Sequence, residues 1–177
     1  MPDYVGFIFA ASKRQVSIEQ AEELCFYLHP GVRKVGVFVN SEQDQVQEIA
    51  AGCSLDVLQF HGNESPQYCM GFKMPVWKVF SVLGPDSLRT VSSYQVDGVL
   101  LDSATPGAGR TFDWSRIPAT VMSASFVLAG GLNPENVSEA IATINPDVVD
   151  VSSGVETQGV KDFWKMKEFI EKVRSYT

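Results

Sequence analysis

Asp102 is the residue of this sequence whose position best suits it to chemistry. It follows the apolar run Val-Leu-Leu at 99–101 and precedes a loop of small residues that leads to Phe112 and Trp114. Such a run predicts a buried strand with Asp102 at its carboxyl end, where enzymes built from repeated strand–helix units gather their reactive groups. A carboxyl group there can act as a general acid or base. Asp also ends strands and opens turns for purely structural reasons, and this alternative stays open.

Two glycine-containing turns late in the chain indicate a site for an anion. Gly130 and Gly131 follow one apolar run, and Ser153 and Gly154 follow the next. Glycines at the end of a strand leave backbone N–H groups uncovered, so that a phosphate can approach them closely. Either turn alone could be only a turn, but two in consecutive loops favour a phosphorylated small molecule as the ligand.

Three further polar residues lie at or near predicted strand ends. Arg14 follows the first strand, where it could bind a carboxylate or simply remain a solvated charge. His61 ends the run Leu-Gln-Phe-His at 58–61 and could contact a ligand or be structural. Lys78 lies inside a strand, where an internal ion pair and a catalytic amine are both open interpretations.

Composition excludes several classes of protein. The 177 residues carry a formal net charge of -7, which argues against a nucleic-acid partner and against attraction to anionic lipid. Three cysteines without a CxxC motif and two histidines predict neither a disulfide framework nor a metal site, and we expect a cytoplasmic protein. The apolar run near the N-terminus is too short for a signal peptide or a membrane span.

Strand and helix patterns alternate along the whole chain. Ser17 and Gln20 match a capping box, Ser41 would cap a second helix, and Ser65-Pro66 would begin a third. Further helices are predicted from about Asp86, from about Asp113, after Asn133-Pro134, and over 163–173. The predicted strands are largely apolar runs, at 4–10, 35–39, 57–60, 76–82, 99–101, 126–129 and 148–151.

The seven strand–helix units predict an all-parallel sheet in one domain, residues 1–177. A doubly wound open sheet is possible, but no GxGxxG motif follows the first strand. The late glycine turns favour a TIM-type (βα) barrel, which often binds phosphate in the loops after its last two strands. Eight such units need about 200 residues, so the chain is one unit short of a complete barrel.

Six segments together resemble the phosphoribosylanthranilate isomerases of tryptophan biosynthesis, and the resemblance covers essentially the whole chain. They are GFIFAASKRQVS, KVGVFVN, LQFHG, LLDSATPGAGRTFDW, LAGGLNPENV and DVVDVSSGVE. The resemblance implies a phosphate-binding (βα)8 barrel that converts N-(5-phosphoribosyl)anthranilate into 1-(2-carboxyphenylamino)-1-deoxyribulose 5-phosphate by an Amadori rearrangement, with no cofactor and no metal. Other phosphate-binding barrels, such as the tryptophan synthase α-subunit or indoleglycerol-phosphate synthase, carry different strand-end acids.

The resemblance also implies roles for individual residues. Asp102 would be the general acid that helps to open the ribose ring, and Arg14 would bind the anthranilate part. The remaining implied ligand contacts are a phosphate site at Gly130, Gly131, Ser153 and Gly154, and strand-end positions close to the ligand at His61 and Asp150.

The sequence departs from the family at its beginning. The family's first strand carries a KICG-like motif whose cysteine is the general base, and this chain starts at what resembles the second strand, so that strands 2 to 8 are present. Cys25, Cys53 and Cys69 fall in or beside predicted helices and do not replace that base. A smaller departure is Ala108 in the segment Gly107-Ala108-Gly109, where the family usually has Gly-Thr-Gly.

We therefore expect an N-terminally truncated barrel that binds better than it turns over. Its apolar edge strands predict self-association or a complementing strand–helix segment. The alternative function is that of a non-catalytic phosphosugar-binding barrel fragment.

Overall fold

The computed structural model describes residues 1–82, 88–103 and 124–176. Within them, strands and helices alternate as the sequence predicts. The strands are β1 (Tyr4–Ile8), β2 (Arg33–Phe38), β3 (Val57–Phe60), β4 (Val76–Val82), β5 (Gly98–Ser103), β6 (Ser125–Leu128), β7 (Val148–Val149), β8 (Glu156–Thr157) and β9 (Val160–Lys161). The helices are α1 (Ile18–Phe26), α2 (Gln43–Gly52), α3 (Pro66–Cys69), α4 (Val137–Ile144) and α5 (Phe163–Arg174), and 3-10 turns lie at Val91–Ser93 and Ser153–Val155.

Strands β1 to β7 follow one another in chain order in a single sheet. The pairs β1–β2, β2–β3, β3–β4 and β6–β7 are parallel, with Val35 opposite Val57 and Leu128 opposite Val149 as examples of the register. A doubly wound sheet reverses its strand order at a switch point, and this sheet does not. The order is that of a TIM-type barrel, and this part of the prediction is confirmed.

Two compact units divide the chain. The first contains residues Pro2–Val79 and Ser93–Gly98, and the second contains Met1, Phe80–Ser92 and Val99–Thr177. That residues 1–177 form one domain stays a prediction. The helix expected from about Asp86 is wrong over the described residues 88–97, which contain a 3-10 turn at Val91–Ser93 and no α-helix. Three other predicted features lie outside the described residues: the helix from Asp113, the loop with Ala108, and the Phe112–Trp114 segment.

The core of the first unit is aromatic and lies between β1–β3 and their helices. Phe38 and Phe60 are fully buried, with ring centroids 6.2 Å apart, and Tyr68 meets Phe60 edge-on at 5.2 Å. Burying such rings contributes about 1.5–3 kcal/mol each. All four residues of β3 are buried, as expected for a strand covered on both faces of a parallel sheet.

Helix starts in the first unit confirm two of three expectations. Gln20 N–H donates to Ser17 Oγ at 3.2 Å and Ser17 N–H donates to Gln20 Oε1 at 2.9 Å, which is the predicted capping box of α1. Ser65 caps α3. The expected Ser41 cap of α2 is wrong, because the N-cap is Glu42, without a side-chain hydrogen bond, and the Ser41 carbonyl accepts from the Tyr68 hydroxyl at 2.7 Å.

The second unit contains β5–β7, α4 and α5 around a buried layer. Strand β7 is shorter than the predicted run 148–151, although Asp150 N–H still donates to Leu128 O at 2.8 Å. Helix α4 begins after Asn136, later than expected, because the Asn133 carboxamide accepts from Glu135 N–H and Asn136 N–H and forms a turn first. The most buried residues of the second unit come from β5, β6 and α4, namely Leu100, Leu101, Phe126, Val127, Leu128, Val137 and Ala140.

A short hairpin, β8–β9, lies between the last parallel strand and α5 and was not predicted. Its turn residues Gln158 and Gly159 have φ values of 54° and 81°. Two left-handed residues in a two-residue loop are typical of tight β-hairpins, since their twist matches that of the strands.

Candidate functional site

Asp102 lies near the carboxyl end of β5, as predicted. The preceding residue, Leu101, is fully buried, and its carbonyl accepts from Ala129 N–H at 2.9 Å at the end of β6. Asp102 itself is half-buried. The strand therefore fixes the main chain of Asp102 while leaving part of its side chain accessible, which is what a proton-transferring carboxyl group requires.

Asp150 lies immediately after β7, in the same unit as Asp102. Its side chain remains open to solvent, but protein atoms surround the carboxyl group closely. This desolvation raises the pKa of Asp150, and the negative charge of Asp102 raises it further, whereas the Lys161 ammonium and a hydrogen bond from the Val151 backbone oppose the shift. The two carboxyl groups are therefore electrostatically coupled, and Asp150 holds a proton more strongly than an ordinary Asp does.

The turn after β6 has the backbone form that glycine favours. Gly130 and Gly131 have φ values of 86° and 69°, a region in which other residues are strained. Asn136 Nδ2 donates to Gly131 O at 3.0 Å, and Asn133 N–H donates to Asn136 Oδ1 at 2.9 Å. The side chain of Asn136 therefore holds the turn in place before α4 begins.

The turn after β7 packs directly on the turn after β6. Ser153 and Gly154 belong to the 3-10 turn at Ser153–Val155, and a Cβ built on Gly154 would overlap the Leu132 carbonyl oxygen. Only glycine allows this approach. The structure thus brings the two predicted phosphate-binding turns together.

Lys161 and Glu156 belong to this part of the site and were missed. Lys161 Nζ donates to Ser152 O at 2.8 Å and contacts Glu156 Oε1 at 3.1 Å. Lys161 therefore holds the main chain just before Ser153 and places a positive charge near Asp150. The hairpin that carries both residues has two-residue strands, so hydropathy alternation gave no signal for it.

Arg14 and His61 belong to the first unit, at the carboxyl ends of β1 and β3. Arg14 is exposed in a loop where its backbone N–H donates to Ser12 Oγ at 3.2 Å. His61 is also exposed, and its N–H donates to Phe38 O at 2.9 Å, which continues the β2–β3 pairing. His61 therefore lies at the end of β3, and Arg14 lies in the loop that follows β1, as the sequence predicts.

Lys78 forms an internal ion pair, which is one of the two roles that the sequence left open for it. Its Nζ lies 3.3 Å from Glu64 Oε2, and both side chains are buried. The partner Glu64 was not predicted. The signal for a partner was Lys78 itself, since a lysine inside an apolar strand needs a counter-charge.

All three cysteines lie among the described residues, and none of them ends a strand. Cys25 belongs to α1, Cys53 follows α2, and Cys69 ends α3. Burial raises the pKa of each thiol, to about 11 for Cys69. A thiol with a raised pKa is a poor source of thiolate at neutral pH, so the three side chains are unsuited to proton abstraction.

Metal-binding clusters and membrane-spanning helices are both absent from the described residues. Over residues 1–82, 88–103 and 124–176, no three His, Cys, Asp or Glu side chains gather in a way that could hold a metal ion. In the same part of the chain, no helix is long and apolar enough to cross a bilayer.

Parallel strands in chain order, with acidic side chains and glycine turns at their carboxyl ends, define a TIM-type α/β protein. The model of the family described as N-(5'phosphoribosyl)anthranilate (PRA) isomerase matches residues 1–172. The chain belongs to this family, as the six sequence segments indicated.

Similar proteins support this membership along the whole chain. An N-(5'-phosphoribosyl)anthranilate isomerase of Thermoanaerobacter sp. (strain X514) is 47% identical over 178 aligned positions, covering 98% of this chain and 88% of the relative. One of Streptococcus gordonii is 45% identical, covering 97% and 87%.

Solved structures of the same enzyme agree with the fold. Phosphoribosyl anthranilate isomerase from Thermotoga maritima matches with a TM-score of 0.89 at 39% identity, covering 98% of this chain and 88% of that one. A second one, in complex with reduced 1-(O-carboxyphenylamino)-1-deoxyribulose 5-phosphate, matches with a TM-score of 0.82 at 35% identity, with the same coverage. These comparisons support the isomerase function and lend no support to a non-catalytic fragment.

Proposed function

We propose that this chain isomerises N-(5'-phosphoribosyl)anthranilate to 1-(2-carboxyphenylamino)-1-deoxyribulose 5-phosphate in tryptophan biosynthesis. The observation that carries the proposal is a half-buried strand-end carboxyl group, Asp102, in the same unit as the two packed glycine turns. An Amadori rearrangement needs an acid at the sugar and a fixed phosphate that orients it. Family membership supplies the substrate, and the relative that binds the reduced product analogue supports it.

Asp102 is proposed as the general acid. It gives its proton to the ribose ring oxygen while the bond between that oxygen and C1 breaks and the nitrogen lone pair forms a C1–N double bond, which leaves an open-chain protonated imine with the anthranilate nitrogen. Transfer of the C2 proton from this protonated imine to water then yields the enol form of the product, which tautomerises to the ketone. A half-buried carboxyl group suits the first step, because the strand holds its main chain in place while part of the side chain stays accessible to the substrate.

The phosphate is proposed to bind at Gly130, Gly131, Ser153 and Gly154. Support comes from the positive φ values of the first two residues, from the close approach of Gly154 to the neighbouring turn, and from the Lys161 charge beside Ser152. Backbone N–H groups and a nearby cation are the usual donors to a phosphate in barrel enzymes.

Three further contacts are proposed for the rest of the substrate. Arg14 would bind the anthranilate carboxylate, since a guanidinium matches a carboxylate with two parallel hydrogen bonds. His61 and Asp150 would contact the sugar or the aromatic amine from the ends of β3 and β7. Their support is their position at strand ends and their match to the family's motifs.

The decisive variant is Asp102→Asn, which keeps the size of the side chain and removes its acidity. We expect kcat to fall by about 100- to 10,000-fold while the dissociation constant of the reduced product analogue changes by less than about threefold. Asp44→Asn, an exposed change in the first turn of α2, is the matched control and should leave both values unchanged. Equal losses of rate and affinity in Asp102→Asn would make the residue a ligand-holding group.

Self-association is proposed as a second property. One matching structure is that of monomers generated from a dimeric phosphoribosylanthranilate isomerase of Thermotoga maritima, at a TM-score of 0.87. Each unit of this chain also exposes an aromatic pair, Phe26 with Tyr27 in one and Phe163 with Trp164 in the other. Exposed aromatic side chains are enriched at protein interfaces. Light scattering over a concentration series should show a mass that rises with concentration, and a constant monomer mass would refute this proposal.

A further inference from the structure

A buried ion pair lies beneath the main chain that carries His61. The side chains of Lys78 and Glu64 are only 3% and 1% exposed, and Lys78 Nζ lies 3.3 Å from Glu64 Oε2. Removing two charges from water is costly, and the attraction between them offsets this cost only when further hydrogen bonds satisfy both groups. In this chain those hydrogen bonds involve the backbone on both sides of His61.

Lys78 binds the carbonyl groups of the two residues that flank His61. Its ammonium donates to Phe60 O at 3.2 Å and to Gly62 O at 2.9 Å, and it also donates to Val79 O at 3.1 Å within its own strand. A single cation on β4 therefore fixes the peptide unit before His61 and the peptide unit after Gly62.

Glu64 holds the same turn through backbone N–H groups. Its Oε2 accepts from Gly62 N–H at 2.9 Å, and its Oε1 accepts from Asn40 N–H at 2.7 Å. Asn40 Oδ1 in turn accepts from Asn63 N–H at 2.7 Å. A Cβ on Gly62 would overlap the Asn40 side chain, so the turn is also tightly packed.

His61 is thus an exposed side chain on an immobilised backbone. Its own N–H is bound by Phe38 O, its neighbouring carbonyls by Lys78, and the next N–H by Glu64. We infer that the buried Lys78–Glu64 pair is a positioning device that aims His61 at the substrate. This inference rests on the proposed function, in which His61 contacts the ligand.

Histidine NMR tests the positioning directly, because the chain has only two histidines. In Glu64→Gln the carboxamide offers one acceptor oxygen where the carboxylate offers two, so Gly62 N–H or Asn40 N–H loses its partner. We expect the ring signals of His61 to shift and broaden. Those of His29, whose Nδ1 accepts from Gly31 N–H at 3.1 Å, should not move. An unchanged His61 signal would overturn the inference.

Two variants provide the controls for this measurement. Glu48→Gln removes an exposed negative charge from α2 and should leave both histidine signals unchanged. If Glu64→Gln does not fold, the double variant Glu64→Gln with Lys78→Met removes both charges and leaves no buried charge unpaired. It frees the carbonyl groups of Phe60 and Gly62, so we expect the same disturbance of His61.

A double-mutant cycle with His61→Ala separates positioning from general structural support. We expect each single variant, His61→Ala and Glu64→Gln, to weaken binding of the reduced product analogue by about tenfold, and the double variant to bind no more weakly than His61→Ala. Effects that multiply would show that Glu64 acts independently of His61 and would overturn the inference. If His61→Ala leaves the affinity for the reduced product analogue unchanged, His61 does not contact the ligand. That part of the proposed function and this inference then both fail, even where the NMR signals still shift.

Discussion

Gly154→Ala tests whether the two glycine turns form one rigid anion site. The new methyl group would overlap the Leu132 carbonyl oxygen and would also lie within 3.0 Å of Asn133 Cβ. The first obstacle is a backbone atom, which cannot rotate away as the end of a side chain can. The substitution must therefore push the turn after β7 away from the turn after β6.

The size of the effect follows from this overlap. Forcing an extra methyl group into a closely packed place costs about 1–3 kcal/mol of stability. A displaced turn also loses at least one charge-assisted hydrogen bond to the phosphate, and such a bond contributes about 1.5–3 kcal/mol. We therefore expect Gly154→Ala to weaken binding of the reduced product analogue by about 10- to 100-fold, since 1.4 kcal/mol corresponds to a factor of ten.

Gly159→Ala is the matched control, since it makes the same change in the neighbouring hairpin. Its φ of 81° makes alanine strained, but nothing lies within 4 Å of the added Cβ. Left-handed strain costs about 1–2 kcal/mol, so both variants should lose similar stability in urea denaturation. Only Gly154→Ala should lose affinity in calorimetric titration. Unchanged affinity in Gly154→Ala, or equal losses in both variants, would refute the proposed phosphate site.

Three further predictions concern the pH dependence of stability, the cysteines and the first helix. Desolvation and the charge of Asp102 raise the pKa of Asp150, so the folded state holds this proton more tightly than the unfolded chain does. The free energy of unfolding contributed by Asp150 therefore falls as pH rises from its usual pKa through the raised one, and Asp150→Asn should flatten that fall in urea denaturation at a series of pH values. Burial raises the pKa of Cys69 to about 11, so its native thiol should react with a disulfide reagent far more slowly at pH 8 than after unfolding. Ser17→Ala removes the capping box and should lower the free energy of unfolding by about 1 kcal/mol, measured by the same denaturation.

The strands could be predicted from the sequence because burial on both faces leaves a direct trace. Strand β3 is an apolar run with one glutamine, and all four of its residues are buried. The capping box at Ser17 was equally visible, since both partners lie within one helical turn. Strand ends followed from the strands, so Asp102 and His61 could be placed as well.

Other features depend on contacts that no local pattern records. Lys78 could be recognised as needing a partner, but which acid lies beside it depends on how the turn after β3 folds over β4. Lys161 was missed because its strand has two residues and no periodicity. The start of α4 was placed too early because the Asn133 side chain forms a turn of its own before the helix.

The most direct test of the central claim is a single-turnover measurement with protein in excess over N-(5'-phosphoribosyl)anthranilate. Excess protein makes even slow conversion visible. The product, 1-(2-carboxyphenylamino)-1-deoxyribulose 5-phosphate, is measured by chromatography at successive times. We predict conversion by the unsubstituted protein and by Asp44→Asn. In Asp102→Asn we predict a rate that is reduced by about 100-fold or more, with affinity for the reduced product analogue retained. Equal rates in Asp102→Asn and the unsubstituted protein would contradict the account.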